Sequence, residues 1–517
     1  MMVEQPVNRL IPIGYYVGLV IIGLGGLHLL PMITALIYLE WNILIDFVIS
    51  FSILIIIGVI LAGFCGQKAR TQKLGWGEGM TVTAISWIAG MLLCAIPYYL
   101  SGQYLSFLDA CFDVMSGFTT TGLVLIQDMD HTSNAVNMWR HILTFVGGQG
   151  MIVLALTFLV KGTNGAYKMY VGEGKDERLM PNVVTTARYI WGISLVYLLL
   201  GTAVFTSIGI YEGIQPDRAF LHGMWLFMSS WSTGGFAPMS QNILYYHSIW
   251  FEIASMVFFI VGSFNFALHY AVINGKRKEL IKNIETLSMS VTVTVLTLLI
   301  MVGLIRQNIY ANVFSLFRKV FYQLISGHTT TGTMTIYARQ FHLEWGDLAL
   351  LAMIVAMLIG GSACSTAGGF KGLRIGIIWN AFRREIRSLG LPESVVVSQK
   401  IHHIRDIPLD DTMIRGATLI VIAYMITFTV TTTISLLYGY PLVDAAFEAA
   451  SVTGNVGLSI GITSASMPEA IKINYIVTMW LARLEFMSIF ALLAYVSEKT
   501  KGIWNRITIS GHKGDSL

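Results

Sequence analysis

Charge is what this chain lacks most. Asp, Glu, Lys and Arg supply 12% of its 517 residues, about half the share usual in a soluble globular domain, and that is too little polarity to cover a water-facing surface. Cysteine is scarce as well. Cys65, Cys94, Cys111 and Cys364 lie scattered in apolar surroundings, without the spacing of a disulfide framework or a thiolate metal site, and read as small buried apolar residues. The 11 histidines show no metal-ligand spacing. No Gly-rich phosphate loop with a Gly-Lys-Ser/Thr ending occurs, which disfavours a pump energised by its own nucleotide site. Apolar residues, by contrast, make up 55% of the chain and give a mean hydropathy of +0.67, in runs near the ~20 residues that cross a bilayer. Lipid is the expected solvent.

Against that background four short stretches nearly repeat one another. They are Ser116-Gly-Phe-Thr-Thr-Thr-Gly122-Leu123, Ser229-Ser-Trp-Ser-Thr-Gly-Gly235-Phe236, Ser326-Gly-His-Thr-Thr-Thr-Gly332-Thr333 and Ser451-Val-Thr-Gly-Asn-Val-Gly457-Leu458. A Ser opens each stretch and a Gly follows six positions later. An aromatic residue stands four positions before each Ser: Phe112, Trp225, Tyr322 and Phe447. Four copies imply four structural units around one axis.

Hydropathy predicts an all-α membrane protein with ten spanning helices, at 11–39, 43–65, 78–100, 135–160, 186–210, 247–273, 284–305, 346–380, 412–438 and 471–497. The first apolar stretch, Ile11 to Leu39, is longer than a signal-peptide core and lacks an A-x-A site, so it reads as a retained helix. The four repeats fall between helices three and four, five and six, seven and eight, and nine and ten. Each gap holds a helical pattern too short to span, so the segment must be re-entrant and line a wet cavity. This divides the chain into two leading helices (1–73) and four helix, half-helix, loop, helix units at 74–180, 181–280, 281–405 and 406–517. On this topology 25 of the 33 Lys and Arg fall on one face, including Lys68, Arg70 and Lys73, Lys161, Lys168, Lys175 and Arg178, Lys276 to Lys278, and Arg383 and Arg384. Positive loops stay cytoplasmic, so all four repeats enter from outside.

A ring of four such loops suits a dehydrated monovalent cation. Backbone carbonyls can replace its water without the full negative charge that would hold it too tightly. Gly supplies unusual backbone angles and close approach. The residues expected to line this filter are Thr120, Thr121 and Gly122; Thr233, Gly234 and Gly235; Thr330, Thr331 and Gly332; and Asn455, Val456 and Gly457. Asn455 stands where the other three repeats carry Thr and breaks the fourfold pattern. The plainer alternative is ordinary small-residue helix packing, which four aligned copies make a poor account.

Helix eight is interrupted by Gly360, Gly361, Ser362, Ala363, Cys364, Ser365, Thr366, Ala367, Gly368 and Gly369, followed by Phe370 and Lys371. Such a run holds a helix badly, and its place just inside the third filter suggests a gate. Close helix packing is the alternative. Arg483 lies within helix ten, where a charge is costly. It is expected to face the pore, repelling cations or holding the gate loop through its carbonyls, with a structural pair to a carboxylate on another helix as the alternative. Asp109, Asp113, Asp444 and Glu448, on the half-helices, are candidates for drawing cations to the outer mouth, with caps or solvated carboxylates as the alternative. His328 is expected to pack behind a filter. A hydrolase built on Ser362 or Ser365 would need a base within reach, and none is evident.

These motifs, together with Trp139-Arg-His-Ile-Leu-Thr-Phe-Val-Gly-Gly-Gln-Gly150 and Ala482-Arg483-Leu484-Glu485, resemble the Trk/Ktr/HKT superfamily of potassium transporters; the two leading helices fit its TrkH-type branch. The resemblance covers residues 10 to 500. It implies potassium uptake through a pseudo-fourfold pore with Gly122, Gly235, Gly332 and Gly457 as filter glycines. It also implies a homodimer, a cytoplasmic nucleotide-binding TrkA-like regulatory ring, and a bacterial inner membrane, with no cofactor in this chain. Ser at the first filter glycine goes with sodium selectivity in this superfamily. Gly122 therefore favours potassium over the alternative, a sodium-permeable or sodium-coupled relative.

Overall fold

A computed structural model describes residues 10–69, 74–158, 166–175, 182–392 and 399–497; Arg70, Lys73, Lys161 and Arg178 lie outside them. Among these residues six helices are long and apolar enough to cross a membrane: Leu10–Ile37, Trp41–Gly66, Trp76–Leu100, Val183–Tyr211, Ile284–Gln307 and Asp411–Leu437. The other predicted spans are all broken, where only the one at 346–380 was expected to be. Ile249–Gly262 and Phe266–Ile273 meet at 98°, and Glu469–Arg483 and Met487–Ser497 at 106°. Asn134–Gln149 stops at Gly150, whose φ of 102° no ordinary helix accepts, before Met151–Phe158. Gly346–Ile359 resumes as Gly372–Ser388 only after the 360–371 loop.

Each break has a local cause. A Cβ on Gly147 would lie 2.0 Å from the Phe118 carbonyl, and one on Gly262 2.1 Å from that of Trp231, so both helices turn near the point where a shorter helix ends against them. The new helices are capped afresh. Asn265 accepts the Ala267 N–H at 2.7 Å, and the buried Glu173 carboxylate accepts the Ile152 and Val153 N–H groups at 2.6 and 3.3 Å, as an acidic group at a helix N-terminus should.

Between the long helices stand four shorter ones: Phe107–Phe118, Pro216–Trp231, Val313–His328 and Leu442–Gly454. Ser106 and Asn312 cap two of them, Pro216 opens the third at its first turn, and Pro441 precedes the fourth. At 12 to 16 residues they reach about 18–24 Å, short of the ~30 Å hydrocarbon core. Their aromatic residues Phe112, Trp225, Tyr322 and Phe447 are fully buried.

The two leading helices cross tightly at small residues, with Gly18 against Ala62 and Gly58 against Ile22. His28 bonds Ser50 at 3.0 Å and its ring lies tilted against Trp139 with centroids 4.2 Å apart, which docks the pair onto the first unit. One feature departs from the all-α expectation. Lys400–His403 and Arg405–Pro408 form an antiparallel hairpin, and the polar sequence Lys-Ile-His-His offers too short an alternation for hydropathy to register.

Candidate functional site: a closed ring of four glycine loops

The four short helices converge, and the loops that follow them adopt one conformation. Thr120, Thr233, Thr330 and Asn455 all occupy left-handed backbone, at φ of 55°, 50°, 56° and 53°. Two residues on, Gly122, Gly235, Gly332 and Gly457 have φ of 90°, 69°, 77° and 91°. The residue between donates its N–H to the carbonyl of the repeat's opening Ser. The pairs Thr121 to Ser116, Gly234 to Ser229, Thr331 to Ser326 and Val456 to Ser451 are each 2.8 Å long.

The glycines touch the next loop in turn. A Cβ on Gly122 would stand 2.6 Å from the Gly234 carbonyl oxygen, on Gly235 2.3 Å from Thr331, on Gly332 1.8 Å from Val456, and on Gly457 2.0 Å from Thr121. Contact runs from loop one to two, two to three, three to four and four back to one. The ring is closed, and the carbonyl preceding each glycine sits where a side chain would collide with it.

On one side of the ring all four glycines line a vestibule of about 180 Å³, with Arg140, Phe236 and Met334 among its walls. On the other side lies the 360–371 loop, which reaches every repeat. Thr366 Oγ1 meets Thr233 Oγ1 at 3.0 Å, the Thr120 hydroxyl is 3.5 Å from the Thr366 carbonyl, and the Gly368 N–H donates to Thr330 Oγ1 at 2.7 Å. A Cβ on Gly368 would lie 3.0 Å from that of Asn455. The loop is held from its own side too. Ser365 donates to the Ser362 carbonyl at 2.7 Å and accepts from Ala367, the Ala363 N–H donates to Glu285 at 2.6 Å, and Lys371 Nζ donates to the Ala367 carbonyl. Ser362 N bonds Ser263, and Cys364 accepts from Phe266, tying the loop to the break at 262–266. Cys364 and Lys371 are non-glycine residues at positive φ, as are the glycines Gly360 and Gly369, so the segment carries backbone strain.

Arg483 joins three of these pieces. Its guanidinium donates to the Thr366 carbonyl at 2.6 Å, to the Gly147 and Gly148 carbonyls at 2.7 and 3.4 Å, and to Thr120 Oγ1 at 3.2 Å. Among the arrangements expected for it, the structure shows the contact with a carbonyl of the 360–371 loop. Glu485 is instead ion-paired to Arg374. Hydropathy could not find the buried charges Glu173 and Glu285 or the half-buried Arg374, because none of them interrupts the apolar centre of a predicted span.

The half-helix carboxylates are engaged within the protein. Asp109 is ion-paired with Lys472 at 2.5 Å and Asp444 lies 3.2 Å from the His342 ring, while Asp113 and Glu448 are fully buried. Among the described residues none of the four lines the vestibule. His328 packs as expected, bonded to Thr292 at 2.7 Å. No group of three or more metal-ligating side chains occurs among the described residues.

The profile of the TrkH family, described as cation transport protein, matches residues 43–503. The chain belongs to the TrkH family. An uncharacterized cation transporter of Methanocaldococcus jannaschii is 29% identical over 477 residues, covering 92% of this chain and 94% of that one. The Trk system potassium uptake protein TrkG of Escherichia coli is 29% identical over 483 residues, covering 90% and 93%. In fold the chain is similar to the crystal structure of the potassium transporter TrkH from Vibrio parahaemolyticus, with a TM-score of 0.79 at 24% identity, over 94% of this chain and 98% of that one. A TrkH-family chain is a transporter and no enzyme, so Ser362 and Ser365 are loop-forming residues here. The apolar helices make it a multi-pass membrane protein.

Proposed function

We propose that this chain takes up potassium across a bacterial inner membrane, through the ring of Thr120 to Gly122, Thr233 to Gly235, Thr330 to Gly332 and Asn455 to Gly457, and that the 360–371 loop with Arg483 is its gate. The observation that carries the reading is the cyclic contact of four equivalent glycines, each against the carbonyl of the next loop. Four carbonyl-bearing loops at one radius can exchange for the water of a weakly hydrated cation. Each short helix also ends at the ring, which directs the negative end of its macrodipole, about half an elementary charge, at the ion. The names of the Escherichia coli and Salmonella relatives, Trk system potassium uptake proteins, point to the same cargo. The units 74–180, 181–280, 281–405 and 406–517 then surround one pore, with 1–73 in front.

Uptake needs no coupled ion, because the membrane potential supplies about 2.3 kcal/mol per charge per 100 mV. A homodimer and a TrkA-like nucleotide-binding ring complete the assembly on this reading. The test is the reversal potential of the purified chain in vesicles under separate potassium, sodium and pH gradients. A potential that follows potassium alone supports selective, uncoupled uptake. One that follows sodium equally points to the sodium-permeable reading.

A further inference from the structure

The limb of each loop beyond its glycine runs outward through the protein interior, so its N–H groups need partners there. Three repeats answer with the same device. The residue three positions before the opening Ser is Asp113 in the first, Gln323 in the third and Glu448 in the fourth. Each accepts the N–H three positions after the glycine: Leu125 to Asp113 at 2.7 Å, Thr335 to Gln323 at 3.5 Å, and Ile460 to Glu448 at 3.0 Å.

The second repeat lacks both halves of this pair. Its acceptor position is Leu226 and its donor position is Pro238, which has no N–H to satisfy. That limb is held differently. Arg140 donates to the Ala237 carbonyl at 3.2 Å and lies 4.7 Å over the Phe236 ring, and Asn242 donates to the Gly235 carbonyl at 2.9 Å. Donor and acceptor disappearing together is the pattern expected if the bond itself matters.

We infer that Asp113, Gln323 and Glu448 are positioning residues that staple the outer limbs of three loops and so fix the radius of the ring, with no part in attracting ions. This inference rests on the proposed potassium pore. The fourth staple is the strongest, since Glu448 also accepts from Ile462 N–H and from the hydroxyls of Ser459 and Thr463, at 3.2, 2.5 and 2.8 Å. The first is braced by the Tyr104 hydroxyl at 2.9 Å. Gln323 carries no charge, so the requirement is for an acceptor oxygen.

The charge-neutral amides therefore separate the two roles. Asp113→Asn and Glu448→Gln keep an oxygen for the backbone N–H and can turn their NH₂ to the Tyr104 or Thr463 hydroxyl. Asp113→Ala and Glu448→Ala remove the acceptor. In reconstituted vesicles the alanine variants should lose about tenfold or more in potassium-over-sodium permeability, while the amides stay within about threefold of wild type. Gln323→Leu, which copies Leu226 and keeps the core filled, should follow the alanines and serves where they do not fold. Alanine or leucine variants with wild-type relative permeability, or amides as impaired as the alanines, would overturn the inference. A wild-type chain that does not prefer potassium would instead overturn the pore reading beneath it.

Discussion

A glycine at the ring is constrained twice, by a positive φ that a Cβ resists and by the neighbouring loop's carbonyl. The clearances are unequal, from 2.6 Å at Gly122 down to 1.8 Å at Gly332. Adding a side chain must push the next loop outward, and strain of about 1–3 kcal/mol per residue is the expected scale. Gly122→Ser, at the roomiest position, should raise sodium permeability relative to potassium by about tenfold while flux persists, and Gly332→Ser should nearly abolish flux. Ion-replacement currents on the two variants check the order; equal effects would detach selectivity from this geometry. Arg483 gives a second prediction at this scale. It bridges Thr366 and Gly147 next to Thr120, directly under the ring, where a fixed cation raises the barrier to another. Arg483→Gln should raise potassium flux per folded protein. Arg483→Lys should hold it near wild type only in part, since an ammonium cannot reproduce the planar fork that serves both carbonyls. Flux that stays level or falls in Arg483→Gln would show that the residue is no barrier.

Among elements, the 360–371 loop differs from the breaks in the other three units by its length. It touches Thr120, Thr233, Thr330 and Asn455 at once, and it is held by hydrogen bonds on a backbone that carries strain. Shortening it between Ser362 and Gly368 should remove the contacts to the ring hydroxyls and raise flux several-fold without any regulatory partner. Tracer uptake normalised to protein in the vesicles measures this, and unchanged flux in a folded deletion would make the loop mere packing. This loop was legible in the sequence because small residues accumulate visibly in an apolar helix, and the ring was legible because one spacing recurs four times. The breaks at Gly150, Gly262 to Asn265 and Arg483 to Phe486 were not. Averaged hydropathy passes straight through them, and the close approach of Gly147 and Gly262 to neighbouring helix ends, which accompanies the first two, shows only in three dimensions. The bonds made by Asp113 and Glu448 were not legible for a related reason, since a carboxylate's sequence position does not reveal that a backbone N–H twelve residues later lies within its reach.

At the scale of the whole molecule the basic residues expected on the cytoplasmic face differ in how free they are. Lys276, Arg277 and Lys278 are exposed at the end of the second unit, and Arg383 is exposed on Gly372–Ser388. Arg384, beside it, donates to Asp411 at 2.7 Å and to the Leu409 carbonyl at 3.2 Å, so it braces the start of Asp411–Leu437 instead of facing outward. A soluble regulatory ring docking on this face would meet the four free charges first, and its association would be steered by them and screened by salt. Changing Lys276, Arg277, Lys278 and Arg383 to Gln should weaken co-purification with a TrkA-like ring and flatten its dependence on ionic strength, with helix content and vesicle insertion unchanged. Arg384→Gln should instead lower thermal stability and leave the salt dependence as it was. The alternative is that these residues only fix orientation during insertion. In that case the fourfold variant binds the ring normally but yields a fraction of chains inserted upside down, which protease protection of the 276–278 segment detects. Normal binding at every salt concentration by correctly oriented variant protein would assign the docking surface elsewhere.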